Sequence, residues 1–472
     1  MKPTFNSPGE PERKSVHVLV VGGGASGPIL AAHLLRLDHN MRVTLVEKRT
    51  EIGGVAYTTP DTAHTLNTRS GNMSAFEAEP DHFCRWLAGR KDDDGGSDPS
   101  AFVPRAVYGA YLRDLLRPYE RRSGDGRLTL LRGECVDLHM SDKGAVGELA
   151  DGRSIRADAV VLATGYAEPA HNRNGLDSPW AIPAGDPMRP VVIVGTGLTM
   201  VDCTLTLLGR GQQAPIIALS RRTLLPQPHR RNAVQPLDRR DIPVGASAAA
   251  TMAWLRRTID TLGLEDGDWR PVVDGLRPHA QRLWQSAPDS AKRCFLRHAR
   301  VHWESHRHRM PPHSAQIIEA ARQSGALTMV RGAFLGAEQN WDTVKVRYRP
   351  AGSRMVCEIA AGQAIDARGV LRDPERDASP LLKALFTKGH ARVDPSRLGL
   401  DVDEHCAVIG ADGEATPGLW AVGPVTRARF WEITAVPDIR VQAAHLASTL
   451  FVSLAGAPIR SPQADVLRSV RS

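Results

Sequence analysis

"VLVVGGGASG" spans Val18–Gly27, and "VVIVGTGLTM" spans Val191–Met200. Each reads as an apolar strand running into a glycine-rich turn. In the first, Val16–Val21 form a continuous apolar run, the pattern of a strand buried on both faces of a parallel sheet. Gly22-x-Gly24-x-x-Gly27 follows, and Pro28 sits where the first turn of a helix tolerates a missing N–H. "ILAAHLLRL" continues that helix, and a second apolar strand, "RVTLVE", ends at Glu47. The first glycine permits the tight turn, the second lets a pyrophosphate approach the backbone, and the third lets helix and strand pack closely. The helix N-terminus attracts phosphates, and Glu47 can accept from both ribose hydroxyls. Gly22, Gly24, Ser26, Gly27, Glu47 and Lys48 are therefore expected to hold a dinucleotide.

The acid at Glu47 favours a free 2′-hydroxyl, hence FAD or NAD rather than NADP. "EIGGVAYTT", Glu51–Thr59, follows directly. A Gly-Gly at this place passes along FAD in two-dinucleotide flavoproteins, which points to FAD at the first site and adds Gly54 to it.

The second stretch supplies Gly195-x-Gly197 and a helix start, with Met200 where the third glycine would stand. Looser helix–strand packing is expected there. The next strand, "APIIALSRR", ends in Ser220-Arg221-Arg222 with no acid. Guanidinium groups match a phosphate by paired hydrogen bonds, so this end is expected to prefer the 2′-phosphate of NADPH. Two different turns for two different nucleotides imply an α/β chain with two Rossmann-like dinucleotide-binding domains, for FAD and NADPH. The expected boundaries are 16–188 and 366–458 for the FAD domain and 189–365 for the NADPH domain.

Between the turns, "LTLLRGECVDLHM", "GELADGRSI" and "ADAVVLATGY" read as short antiparallel strands with a turn at Asp151-Gly152, leading back into the first sheet. The small Ala163-Thr164-Gly165 turn is expected to cross beside the FAD. A helical insertion is expected at about 226–325. It ends in "SHRHRMPP", whose His306, Arg307, His308 and Arg309 read equally as phosphate or anionic-substrate contacts and as a structural polar cluster. Arg307 and His308 are the candidates for catalytic groups. Near the end, Leu419–Val422 read as a buried strand, Gly423 as a close approach, and Pro437 as the opening of a helix to about Leu450. That helix N-terminus suits negative charge on a reduced flavin.

Composition bounds the rest. A chain of 472 residues suggests two or three domains, and 42% hydrophobic residues supply a sizeable core. No apolar run reaches the roughly 18 residues that span a bilayer. The polar N-terminus has no signal-peptide pattern, so a cytoplasmic protein without membrane contact is expected. None of the six cysteines forms a C-x-x-C pair, which argues against a thiol-based reductase. The +8 net charge comes with no nucleic-acid signature and suits anionic cofactors and substrates. No H-E-x-x-H spacing is present, so no metal is expected.

"GGGASG", "IGGVAYTT", "HTLNTRSGNMSAF", "FVPRAVYGAYLRDLL", "VGTGLTMVD", "LSRRTLLPQPHR", "HRHRMPP", "WAVGP" and "FWEITAVPDIR" together resemble the bacterial FAD/NAD(P)-binding family typified by the YdhS-like proteins. The plan is similar to that of the N-hydroxylating flavin monooxygenases, which also carry D-x-x-x-L-A-T-G-Y. The resemblance implies FAD contacts at Gly22, Gly24, Gly27, Glu47, Asn67, Met73, Thr164, Gly423 and Trp431. It implies NADPH contacts at Gly195, Gly197, Ser220 and Arg221. One departure is "DARG", Asp366–Gly369, where a second T-G turn is usual. The Baeyer–Villiger fingerprint is absent before Gly195.

The expected activity is NADPH-dependent hydroxylation of a small nucleophilic substrate, an amine or an electron-rich heterocycle, by O2 through a C4a-hydroperoxyflavin. The Arg- and His-rich surroundings favour an anionic substrate. A reductase that inserts no oxygen is the alternative, and a non-catalytic FAD-binding regulator is a third. Self-association is left open.

Overall fold

A computed structural model describes residues 15–90, 95–166, 175–230, 234–262, 268–369 and 373–455. The first sheet grows from β1 (Val16–Val21) through α1 (Ser26–Leu37) to β2 (Met41–Glu47), which pairs parallel with β1 from Val16↔Met41 to Val21↔Val46. The short α2 (Gly54–Tyr57), then α3 (His82–Ala88) and α4 (Arg105–Leu116), lead to β3 (Leu128–Arg132), parallel to β2. β4 (Cys135–Ser141), β5 (Gly144–Leu149) and β6 (Ser154–Ala157) build a separate antiparallel sheet, with Asp151-Gly152 between the last two as expected. β7 (Ala159–Leu162) then pairs parallel with β1.

The second sheet starts at β8 (Val191–Val194), passes through α5 (Leu198–Gly209) and continues as the parallel β9 (Ile216–Ser220). After β9 come α6 (Ala248–Leu262), α7 (Arg270–Ser286), α8 (Asp289–Cys294), a π-helical turn at Phe295–Ala299, and α9 (Arg300–Arg307). α10 (Pro312–Gln323) packs on α5 and feeds β10 (Leu327–Asn340), which is parallel to β9. It is thus the crossover helix of this sheet. β11 (Thr343–Pro350) and β12 (Cys357–Ala361) extend β10 antiparallel, and β13 (Gln363–Asp366) closes the other edge beside β8.

The chain then rejoins the first sheet. After α11 (Pro380–Thr387) and β14 (Ala407–Ile409), β15 (Ala415–Ala421) pairs parallel with β7, and α12 (Val436–Ala455) packs on α1. The strand orders are β14-β15-β7-β1-β2-β3 and β12-β11-β10-β9-β8-β13. β7, β8 and β13 are buried along their whole length, as the apolar runs require. The architecture is a Rossmann-type α/β fold built twice.

Two details differ from the sequence reading. Within the described part of 226–247 no helix forms, because Pro226, Pro228, Pro236 and Pro243 interrupt it; helix begins at Ala248. Met200 leaves no looseness in the second unit. Its side chain is fully buried in the apolar cluster with Val191, Ile193 and Ile318. No helix among the described residues is long and apolar enough to cross a membrane.

Candidate nucleotide-binding and active site

The glycines of the first turn divide by what surrounds them. Gly22 has φ +115°, and a Cβ there would collide with the Ala163 carbonyl oxygen; one on Gly27 would collide with the Gly22 carbonyl. These two serve packing. A Cβ on Gly24 would meet nothing within 4 Å, so the turn presents bare backbone to open space. Glu47 is fixed beside it: one carboxylate oxygen accepts from the Gly23 N–H at 2.6 Å and the other from the Arg49 N–H at 2.8 Å. Gly53 N–H donates to the Gly23 carbonyl at 2.8 Å, which docks the Gly53-Gly54 turn on the same loop. Lys48 is exposed at its edge.

The second turn repeats this division. Gly195 has φ +122°, and a Cβ there would collide with the Ala367 carbonyl, whereas Gly197 faces open space. Ala367-Arg368 therefore crosses beneath Gly195 as Ala163-Thr164 crosses beneath Gly22. Asp366–Gly369 is the second crossing, despite its departure from T-G. Gly165 and Gly369 both take positive φ, at +64° and +87°. Ser220 organises the strand end: its Oγ accepts from Thr196 Oγ1 at 3.1 Å and from the Thr223 N–H at 2.9 Å. The two arginines diverge. Arg222 donates to the His298 carbonyl at 3.2 Å, while Arg221 is exposed and has no partner among the described residues.

An orphaned group marks the first crossing. Thr164 Oγ1 is buried without a hydrogen-bond partner. Such a group costs on the order of 1–3 kcal/mol if left unpaired. An open glycine cradle, an anchored acid and an unsatisfied hydroxyl fit a dinucleotide here. Gly423, with φ +78°, comes against the first turn of α1, where a Cβ would collide with Ser26 Oγ. Its N–H donates to Gln442 Oε1 at 2.8 Å, which ties it to α12.

The four basic residues at 306–309 do not converge. His306 Nδ1 pairs with the His302 carbonyl at 2.7 Å, and Arg309 forms a buried ion pair with Asp274 at 2.9 Å. Both follow the structural-cluster reading. Arg307 Nε lies 3.3 Å from Glu432 Oε2, and Glu432 Oε1 accepts from Trp303 Nε1 at 2.9 Å. His308 is neutral: burial, helped by the charge of Arg307, pushes it down to about 4. Trp431 packs into the insertion, stacked 4.7 Å from Trp284 and edge-on to Phe295. Met73 is a core residue, and the Asn67 carbonyl pairs with His229 Nε2 at 2.9 Å.

Sequence reasoning missed three groups. Arg427 lies between Tyr166 OH (3.5 Å), Glu304 Oε1 (3.1 Å) and the Trp431 ring (4.3 Å to its centre). It connects the Thr164-Gly165 crossing to the insertion. Arg105 Nη2 lies 2.8 Å from Asp202 Oδ2, and burial raises the Asp202 carboxyl above its ordinary range even with that partner. Beside this pair, His64 Nε2 meets Thr206 Oγ1 at 2.8 Å, and Thr206 Oγ1 donates to Asp61 at 2.5 Å. Both contacts bridge the two units. Arg105 and Asp202 stood in quoted motifs, but nothing in their spacing showed that they meet.

Residues 19–167 match the model of a family described as FAD-NAD(P)-binding. A flavin-containing monooxygenase of Arabidopsis thaliana (GS-OX-like 2) is 28% identical over 226 residues, covering 40% of this chain and 46% of that protein. An uncharacterized Mycobacterium tuberculosis protein is 25% identical over 148 residues, covering 29% and 26%. The chain thus spans less than half the length of these curated relatives.

Among solved structures, an ornithine N-hydroxylase from Kutzneria sp. 744, in complex with reduced FAD, NADP+ and L-ornithine, superposes with a TM-score of 0.62 at 14% identity, covering 92% of this chain and 99% of that one. An L-lysine 6-monooxygenase from Pseudomonas syringae gives 0.62 at 14%, covering 93% and 100%. A bacillithiol disulfide reductase from Staphylococcus aureus gives 0.54 at 12%, covering 93% and 99%. At these identities the likeness is one of fold.

Proposed function

We propose that the protein is an FAD- and NADPH-dependent monooxygenase that hydroxylates a small nucleophilic substrate, an amine nitrogen or an electron-rich heterocycle. One observation carries this reading. The two turns share their crossing geometry but differ where the second strand ends, in Glu47 at one and in Ser220-Arg221-Arg222 at the other. An anchored acid suits FAD, and a free guanidinium suits the 2′-phosphate of NADPH. The N-hydroxylases among the structural neighbours and the flavin-containing monooxygenase among the relatives support the reaction class. The six cysteines are free thiols and offer no redox pair.

In this reading bound FAD supplies the redox chemistry, taking hydride from NADPH and activating O2. The balance is substrate, NADPH, H+ and O2 giving hydroxylated substrate, NADP+ and water. The chain's residues bind and orient. Gly24 and Ser26 would admit the FAD pyrophosphate at the start of α1, on a turn that Gly22 and Gly27 allow to pack; Glu47 would take the ribose hydroxyls, and Thr164 Oγ1 would find its missing partner in the cofactor. Gly195, Gly197 and Ser220 hold the NADPH turn, and Arg221 takes the 2′-phosphate. Arg427 and Arg307 are each charge-compensated, by Glu304 and Glu432, and act as positioning groups along the insertion. Their partners Glu304 and Glu432 fix the side chains rather than the chemistry.

The test compares NADPH oxidation by the FAD-loaded protein with and without O2. A monooxygenase oxidises no more than one equivalent of NADPH per FAD anaerobically and turns over only when O2 is admitted. Sustained anaerobic turnover with a disulfide or quinone acceptor would instead identify a reductase.

A further inference from the structure

The helical insertion forms a half-open pocket of about 110 Å³ between α6, α7, α8, α9 and the segment 243–246, with Trp431 as part of its wall. Met252, Trp284, Phe295, Trp303 and Trp431 line it, and Lys292 is its one charged lining group. Two of the three lining indole N–H groups are spent outside. Trp284 Nε1 donates to the Ala428 carbonyl at 2.7 Å, and Trp303 Nε1 donates to Glu432. Thr251 spends its hydroxyl on the Ser247 carbonyl, so an occupant meets mainly ring faces, a thioether and aliphatic carbon, and a polar group is better placed at the open mouth than inside. The volume is somewhat below the roughly 150 Å³ of the closed apolar cavity that accepts benzene, but the pocket is open on one side, so one six-membered ring is accommodated with its substituent toward the mouth. Lys292 Nζ lies 5.5 Å from the centre of the Trp284 ring; it forms no close ion pair among the described residues, and the Asp394 carboxylate is within electrostatic reach of it. Phe295 also opens the π-helical turn Phe295–Ala299, a distortion that concentrates at functional sites.

We infer that this cavity binds a single-ring aromatic molecule carrying one negative charge, its ring against Trp284 and Trp431 and its anionic group at Lys292. The inference stands apart from the redox reading, because binding here requires neither NADPH nor turnover.

Calorimetric titration of the full-length protein, without NADPH, with phenylacetate and with toluene tests it. One saturable phenylacetate site is expected. Ala280→Phe fills the cavity and abolishes that site. Lys292→Gln, at a half-buried position that leaves packing intact, weakens phenylacetate about two- to fivefold, the range of a partly exposed ion pair, and leaves toluene unchanged. No saturable binding, or binding that survives Ala280→Phe in folded protein, would overturn the site. If Ala280→Phe does not fold, Lys292→Gln decides: an unchanged phenylacetate affinity would overturn the assignment.

Discussion

Arg105 on α4 and Asp202 on α5 meet at 2.8 Å, so one largely buried ion pair joins the two nucleotide-binding units. Removing one partner strands the other charge. Asp202→Ala is expected to cost on the order of 3 kcal/mol in denaturant unfolding, whereas Arg105→Met with Asp202→Leu should recover much of that loss. A double variant as unstable as the sum of the singles would show that the pair does not act as a unit.

The two arginines after Ser220 have different surroundings, and their variants should differ accordingly. Arg221→Ala is expected to raise the NADPH KM about 10- to 100-fold, the range of one charge-assisted contact, and to leave NADH nearly unchanged. Arg222→Ala, whose guanidinium is engaged with the His298 carbonyl, should have the smaller effect. Equal changes for both cofactors with Arg221→Ala would remove the 2′-phosphate assignment.

Gly24 and Gly197 face open space, while Gly22 and Gly195 are pressed against crossing carbonyls. Gly24→Val should therefore give folded protein that purifies without yellow colour. Gly197→Val should keep FAD and lose NADPH-driven flavin reduction. Gly22→Val and Gly195→Val should instead lower the thermal midpoint or prevent folding. FAD retained in Gly24→Val would refute the first site.

His229 and His308 are both pushed down to about 4, chiefly by burial. Each is neutral in the folded chain and takes a proton on unfolding below its ordinary value near 6.5. Their contribution is complete above that value and is lost as pH falls from about 6.5 to about 4. Stability measured across this window should show uptake of up to one proton per histidine on unfolding. His229→Gln should flatten that slope, and an unchanged slope would contradict the assignment.

Much of the fold was legible because its signals are local. A buried strand, a glycine turn and a helix start lie in one stretch at Val16–Leu37 and again at Val191–Gly209. The end of β9 at Ser220 and the antiparallel strands around Asp151-Gly152 follow from the same local patterning. What lay beyond reading depended on contacts distant in sequence. The second crossing was obscured because "DARG" lacks the small T-G pair; its role appears only when the Ala367 carbonyl is seen under Gly195. Arg427 drew no attention in "VTRARFW", since only the fold brings Tyr166, Glu304 and Trp431 to it. The basic run at 306–309 read equally as ligand contacts and as a structural cluster, because spacing alone does not show that successive residues on a helix end point different ways, toward partners on separate segments.

The central claim is that electrons from NADPH end in the transfer of one oxygen atom to an organic substrate. Turnover of the FAD-loaded protein with NADPH under 18O2, against amines and electron-rich heterocycles, tests it by product mass. The account predicts one hydroxylated product carrying a single 18O atom, formed in proportion to NADPH oxidised. NADPH oxidation that proceeds equally well without O2 onto an added acceptor, with no label in any organic product, would contradict it.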